Sequence, residues 1–254
     1  MLNIRIDEEY KNKILKIANE FYEQKVKQAK HKDENFVKYP HLFLLGAVMD
    51  SQISADKAWK IPFIIADELG GKDFALFAAK DYLWYREQFE TKRLHRFNKE
   101  MSDAFYSAII KIQQEYNGNA ANIWNDEPTS AELICRLLEF KKVGIKIATM
   151  VANLLSRDCG VKLKDKYAID ISPDVHIKRA MYSLGLLSRT NNVDFKNIDT
   201  NKVIYAAKSL NPEFPGVLDP VLWEIGYKKI CTNDGCKYDE KNKCPFAEFC
   251  IKQK

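Results

Sequence analysis

"LLEFKKVGIKIATMVANLLSRDCG", residues 137–160, reads as the end of one helix, a tight turn and the start of another. The first helix runs out near Phe140, and Val143-Gly144 lies in the turn. Beyond it Ile147, Met150, Val151 and Leu154 recur at helical spacing, so they form one buried stripe. A helix that starts straight after such a turn presents N–H groups with no internal acceptor, where a phosphate oxygen can be held. Lys141, Lys142 and Lys146 surround the turn with positive charge. An ordinary αα-corner with solvated lysines has the same spacing, so on these residues alone both readings stand.

Helical periodicity extends in both directions from this hairpin. From Asp7, Ile14, Ile17, Ala18, Phe21 and Val26 mark an amphipathic helix, and residues 101–117 and 129–139 mark two more. Thr129 or Ser130 supplies a cap for the helix over 129–139, and Cys135 falls in its apolar stripe with Leu138. "HLFLLGAVMDSQISADKAW" is apolar nearly all round at its start, as a helix inside a core must be. Glycines at 70–71, 118, 160, 185 and 216 punctuate the chain, and no run alternates as strands do. The expected fold class is all-α.

Composition adds bounds. The chain has 254 residues, 46% of them hydrophobic and 30% charged, with a formal charge of +5. That length suffices for one large domain or two packed ones, and the mild basicity permits a nucleic-acid partner without requiring one. The amino-terminal residues lack the apolar core of a secretory signal, and no run of apolar residues is long enough to span a membrane. The expected location is therefore inside the cell, cytoplasmic (with the nucleoid) or nuclear, where thiols stay reduced.

Further along, "AIDISPDVHIKRAMYSLGLL" spans residues 168–187. Ser172 reads as an N-cap, Pro173 as the first helical residue and Asp174 as a carboxylate in the first turn, held ionised by the helix dipole. Gly185 ends that helix. His176 reads as a packing or hydrogen-bonding residue.

Taken in order, these stretches resemble a known family. "KVGIKIA" is similar to the hairpin of the helix-hairpin-helix DNA glycosylases, the endonuclease III superfamily, and "PDVH" to the motif that carries that family's catalytic aspartate. "LLGAVMDSQISADKAW" resembles the helix and turn upstream, and "DPVLWEIGYKKIC" the helix leading to the iron–sulfur ligands. The resemblance covers roughly residues 40 to 250 in family order. It implies Lys146 and Asp174 as catalytic residues, with Lys141, Lys142, Val143 and Gly144 on the DNA backbone. Gln52 falls where the family fills the gap left by an extruded nucleotide. Two departures stand out. Phe140-Lys141-Lys142 replaces Leu-Pro-Gly at the start of the hairpin, which makes a positive φ costlier there. The connection from Lys146 to Asp174 is also longer by roughly ten residues, tolerable as a surface loop.

Four of the six cysteines lie in "CTNDGCKYDEKNKCPFAEFC", residues 231–250. Cys231, Cys236, Cys244 and Cys250 can hold a [4Fe–4S] cluster or a tetrahedral zinc ion; two disulfides fit a reducing compartment less well. The spacing C-x4-C-x7-C-x5-C lacks the paired C-x2-C of zinc knuckles. "CPFAEFC" is similar to the family's closing ligand pair, whereas the first two intervals differ from it. A [4Fe–4S] cluster is the expected cofactor, with Lys237, Lys241 and Lys243 near DNA backbone.

The resemblance implies a two-lobed fold. A six-helix barrel over 35–158 ends in the hairpin; residues 1–34 with 159–254 form a second lobe bearing the cluster loop. Lys146 and Asp174 would face each other across a groove. The expected activity is base-excision glycosylase with AP lyase chemistry, acting as a monomer on duplex DNA that contains a damaged or mismatched base or an abasic site. Two alternatives remain open here: a monofunctional glycosylase, and a non-catalytic helix-hairpin-helix protein with a structural four-cysteine site. "KRLHRFNK", residues 92–99, offers Lys92, Arg93, His95, Arg96 and Lys99 to phosphates or to solvent, while Trp84, Tyr85 and Phe97 read as packing aromatics.

Overall fold

The computed structural model describes residues 7–29, 34–187, 194–232, 235–237 and 243–250, and is all-α apart from one two-residue ladder. In chain order the helices are α1 (Glu8–Ala29), α2 (Glu34–Lys38), α3 (Pro40–Met49), α4 (Ala55–Ala58), α5 (Ile61–Leu69), α6 (Phe74–Ala78), α7 (Tyr82–Lys92), α8 (Asn98–Glu115), α9 (Ser130–Leu138), α10 (Ile145–Asp158), α11 (Val175–Ser183), α12 (Thr200–Leu210) and α13 (Asp219–Tyr227). The chain divides into two compact units, residues 29–164 and residues 1–28 with 165–254.

In the unit of residues 29–164, α3 is the central helix. Every residue from His41 to Met49 is buried, as its all-round apolar sequence requires. Pro40 starts α3, and α5, α8 and α10 pack around it. His41 is the polar exception; its Nε2 meets the Lys72 carbonyl at 2.9 Å, and burial lowers its pKa to about 4, leaving a neutral ring. α8 contributes Phe105, Ile109 and Ile112 from one face. α9 opens with a full capping box, the Thr129 hydroxyl accepting the Glu132 N–H while the Glu132 carboxylate accepts the Thr129 N–H. Its buried stripe is Leu133, Ile134 and Leu137, which turns Cys135 outward and leaves Leu138 43% exposed. Cys135 and Leu138 were expected in the stripe; the phase of the helix puts its neighbours there instead.

The second unit gathers α1 with α11, α12 and α13. Asp7 starts α1 by accepting the Tyr10 N–H at 2.7 Å. Ile14, Ala18 and Tyr22 of α1 join Ile177, Met181, Val203, Leu218, Leu222 and Phe246 in one core. Each large side chain buried there contributes about 1.5–3 kcal/mol, and truncating one to alanine costs about 2–5 kcal/mol. α11 packs along α13 so closely that a Cβ at Gly226 would come within 2.6 Å of the His176 Cβ. Cys231–Thr232 pairs antiparallel with Gly235–Cys236, setting Cys231 opposite Cys236. This small ladder was not anticipated. No helix among the described residues is long and apolar enough to cross a membrane.

The long connection between Lys146 and Asp174 is anchored at several points rather than only looped over the surface. The Lys164 N–H donates to the Pro128 carbonyl at 3.1 Å, and Asp170 pairs with Lys208. The Lys166 ammonium lies about 5 Å from the Tyr22 and Phe214 ring centres, and burial lowers its pKa.

Candidate functional site

The hairpin has a more specific form than the sequence implied. Phe140 is buried and stacks on Tyr116, anchoring the turn to α8's end. The Val143 N–H closes a β-turn on the Phe140 carbonyl at 3.0 Å. Lys142, third in that turn, has φ 67°, the left-handed conformation that type II turns reserve for glycine. The lysine carries the strain of this turn, about 1 kcal/mol or somewhat more.

Both lysines of the turn are paired with acids. The Lys142 ammonium meets Glu100 at 2.8 Å, and Lys141 pairs with Asp103, both acids lying on α8. Lysines 141 and 142 were expected to face phosphate as extra charge; in the structure each is already paired. Lys146 differs. It is the second residue of α10, half-buried, and has no carboxylate partner among the described residues. Val143 is buried, and its N–H is used inside the turn.

The start of α10 is open. Gly144 is its N-cap and no side chain caps it. The N–H groups of Gly144, Ile145 and Lys146 have no acceptor among the described residues. Gly144 has φ −104° and ψ 179°, an extended backbone any residue adopts, and a Cβ there would meet nothing within 4 Å. Neither conformation nor internal packing demands glycine at this position. The bare backbone leaves room for something outside the chain.

Asp174 occupies a different kind of helix start. It was expected in the first turn, with Ser172 as the cap. Instead Asp174 is itself the N-cap of α11, its Oδ1 accepting the Ile177 N–H at 2.8 Å. Ser172 is held by its backbone, its N–H donating to Asp219 Oδ2 at 2.8 Å, while its hydroxyl is buried without a partner. Pro173 between them favours extended backbone before it, which moves the helix start on by two residues. His176 lies against Arg179 at 3.0 Å and edge-on to Tyr227, which in turn stacks on Trp223, a packing role as expected.

Gln52 stands exposed in the turn between α3 and α4, with φ 56° and no partner among the described residues. It caps nothing; Ser54 is the N-cap residue of α4. In residues 92–99, Lys92 pairs with Glu68 and Arg96 lies over the Phe97 ring. His95 is 2% exposed, so it offers nothing to phosphate. Tyr85 is fully buried and Trp84 partly, as packing aromatics.

All four clustered cysteines line one cavity, with Ala180, Leu184, Ile225 and Phe246 completing its apolar wall. Cys231 and Cys250 are buried, Cys244 is partly buried and Cys236 is exposed. Cys231 Sγ lies 3.5 Å from the Ser183 hydroxyl. Burial, with the other three sulfurs adding to it, pushes the Cys244 thiol up to about 11. Thiolates gathered in such a wall need a multivalent cation among them to stay ionised. The donor set, four sulfurs and no other ligating side chain in the lining, suits a soft metal centre. Among the described residues no three His, Cys, Asp or Glu side chains are grouped tightly enough to ligate a single ion. Lys237 and Lys243 are exposed beside this loop, and Lys241 lies outside the described residues.

No protein-family model matches the sequence, and no curated protein is detectably similar to it. A solved structure of endonuclease III, trapped as a covalent intermediate with DNA in an estranged-adenine complex, is similar to this chain at a TM-score of 0.56. The match covers 94% of this chain and 96% of that one at 14% sequence identity. The fold expected from the hairpin outward is therefore the one the chain has, that of endonuclease III.

Proposed function

We propose that the protein is a base-excision DNA glycosylase with AP lyase activity, acting as a monomer inside the cell on duplex DNA with a damaged or mismatched base or an abasic site. The observation that carries the reading is Lys146. On an endonuclease III fold, of the hairpin's three lysines it alone has no acid partner among the described residues, and it sits at an open helix start. The free N–H groups of Gly144 and Ile145 bind a backbone phosphate oxygen. Gln52, exposed and left-handed, fills the space of the extruded nucleotide.

With the nucleotide flipped out of the duplex, its C1′ is open to attack. Lys146 Nζ, as a neutral amine, attacks C1′; the glycosidic bond breaks and the base leaves with the electron pair, taking up a proton. Opening of the sugar ring gives a Schiff base between Nζ and C1′. Loss of a C2′ proton then expels the 3′ phosphate, nicks the strand and leaves the sugar on the enzyme until water releases it. Asp174 keeps one carboxylate oxygen on its own helix and turns its charge to the cationic sugar of the transition state. Such stabilisation is worth about 10²–10³ in rate.

Cys231, Cys236, Cys244 and Cys250 would hold a [4Fe–4S] cluster, and zinc is the alternative. Such a centre would supply structure, tying the four cysteines to α11 and α13, and no step of the reaction is routed through it. Broad visible absorbance of the purified protein distinguishes iron–sulfur from zinc.

Borohydride reduction in the presence of an abasic-site duplex is expected to give a covalent complex that Lys146→Ala abolishes. Undiminished trapping by that variant would refute the lysine assignment. Base release from a panel of lesion duplexes identifies the substrate base. Release without trapping would make the enzyme monofunctional, and binding without either would make it a DNA-structure-binding protein.

A further inference from the structure

Gln52 projects from a turn whose backbone is unusual twice over. α3 ends at Met49, and the Ser51 N–H donates to the Met49 carbonyl at 2.8 Å across Asp50, whose φ of −78° and ψ of 58° describe an inverse γ-turn. Gln52, two residues beyond Asp50, lies in the left-handed region. Two conformations of this kind within three non-glycine residues persist only where the surroundings fix them.

The residue beneath the turn is His95. It is 2% exposed, and its Nδ1 accepts the Phe97 N–H at 3.1 Å, so Nε2 carries the proton. The carbonyls of Ser51 and Met49 lie near enough to the ring to favour its charged form, and Nε2 is buried with no hydrogen-bond partner among the described residues. Burial lowers the His95 pKa, the two carbonyls oppose that shift and the Lys57 ammonium adds to it, which keeps the ring neutral. The corner that carries it is pinned. The His95 N–H donates to Asn98 Oδ1 at 2.9 Å, and Lys57 of α4 donates to the Arg93 carbonyl at 3.1 Å. The turn and its support are thus tied by two elements, while the imidazole donor is poised but not yet engaged.

We infer that His95 is a positioning residue for Gln52, a buried neutral donor that engages the Met49 and Ser51 carbonyls and holds the Gln52 side chain toward the gap of a flipped nucleotide. The inference rests on the reading of Gln52 as the gap-filling residue. Donors that are loose in the free protein and tighten in the complex are common in catalytic sites, and the unengaged Nε2 fits that behaviour.

The test compares affinity for a duplex bearing a tetrahydrofuran abasic-site analogue with affinity for the intact duplex. Gln52→Ala is expected to lower that ratio about tenfold, the effect of losing one buried polar contact. His95→Leu, which keeps volume and removes the donor, is expected to lower it similarly while leaving affinity for the intact duplex unchanged. His95→Gln, which restores an N–H, should recover most of it, and the double variant should be no worse than Gln52→Ala alone. An unchanged ratio in His95→Leu, or additive losses in the double variant, would overturn the inference and leave Gln52 standing. An unchanged ratio in Gln52→Ala would sink the gap-filling reading and this inference with it. Should His95→Leu not fold, imidazole ¹⁵N NMR of the wild type decides: an Nε2–H tautomer whose signal moves on adding the abasic duplex is expected, and an Nδ1–H tautomer or an unmoved signal overturns the inference.

Discussion

Two helix starts in this molecule are built in opposite ways. Among the described residues, α10 begins at Gly144 with no side-chain cap and three unclaimed N–H groups, and its second residue is a lysine without an acid partner. α11 begins at Asp174, which satisfies one of its own helix's N–H groups. A helix start satisfied from within is a stability device; one left bare and followed by an unpaired cation is suited to an anion from outside. The contrast separates a residue that must do two jobs, Asp174, from a segment that gives up stability to keep one job free.

Asp174→Asn puts the sharpest strain on that contrast. Asparagine caps as well as aspartate does, so the melting temperature should hold within about 2 °C while single-turnover base excision falls about 100-fold or more. Wild-type excision by this variant would reduce Asp174 to a cap. Gly144→Asp converts the start of α10 into a copy of α11's. A capping carboxylate at the positive end of the dipole should stabilise the fold by about 0.5 kcal/mol. The same carboxylate repels phosphate, and filter binding should show DNA affinity about tenfold lower. A variant both more stable and equally tight on DNA would show that the open start binds no phosphate. Lys142→Gly gives the smallest change. It relieves the left-handed lysine and should raise stability by about 0.5–1 kcal/mol in denaturant melts, with trapping unaffected. Lost trapping would mean that the strained turn itself positions Lys146.

The sequence announced these starts unevenly, and locality explains why. Ile147 and Val151 of the expected stripe and the stop at Gly185 depend on residues within two turns of one another, so periodicity and turn chemistry reveal them, whereas Met150 and Leu154 are only half-buried and Leu155 completes the buried face instead. The run Ser172-Pro173-Asp174 offers two capping residues, and local pattern does not choose between them; the Asp219 carboxylate, 47 positions away, holds the Ser172 backbone. The pairings of Lys141 and Lys142 with Asp103 and Glu100 join residues about forty positions apart, beyond any local signal. His95 read as one more base in a charged run because burial is a property of the folded corner. Positive φ at Gln52 and Lys142 left no mark in composition, since neither is a residue that favours it. For the cysteines, count and clustering gave convergence on one cavity, while the pairing of Cys231 with Cys236 came from a ladder too short to show alternation.

The unit that contains α1 is discontinuous, residues 1–28 returning to residues 165–254. During synthesis α1 is made before its partners, since the side chains that cover Ile14, Ala18 and Tyr22 come from α11 through Phe246. At about 5–20 residues per second, the amphipathic helix waits on the order of 10–45 s for its partners. Residues 29–164 are complete well before then and can fold as a finished insertion. The newborn protein therefore passes through an interval with one unit formed and one amphipathic helix unmatched, and the later stretch that carries the clustered cysteines closes that interval.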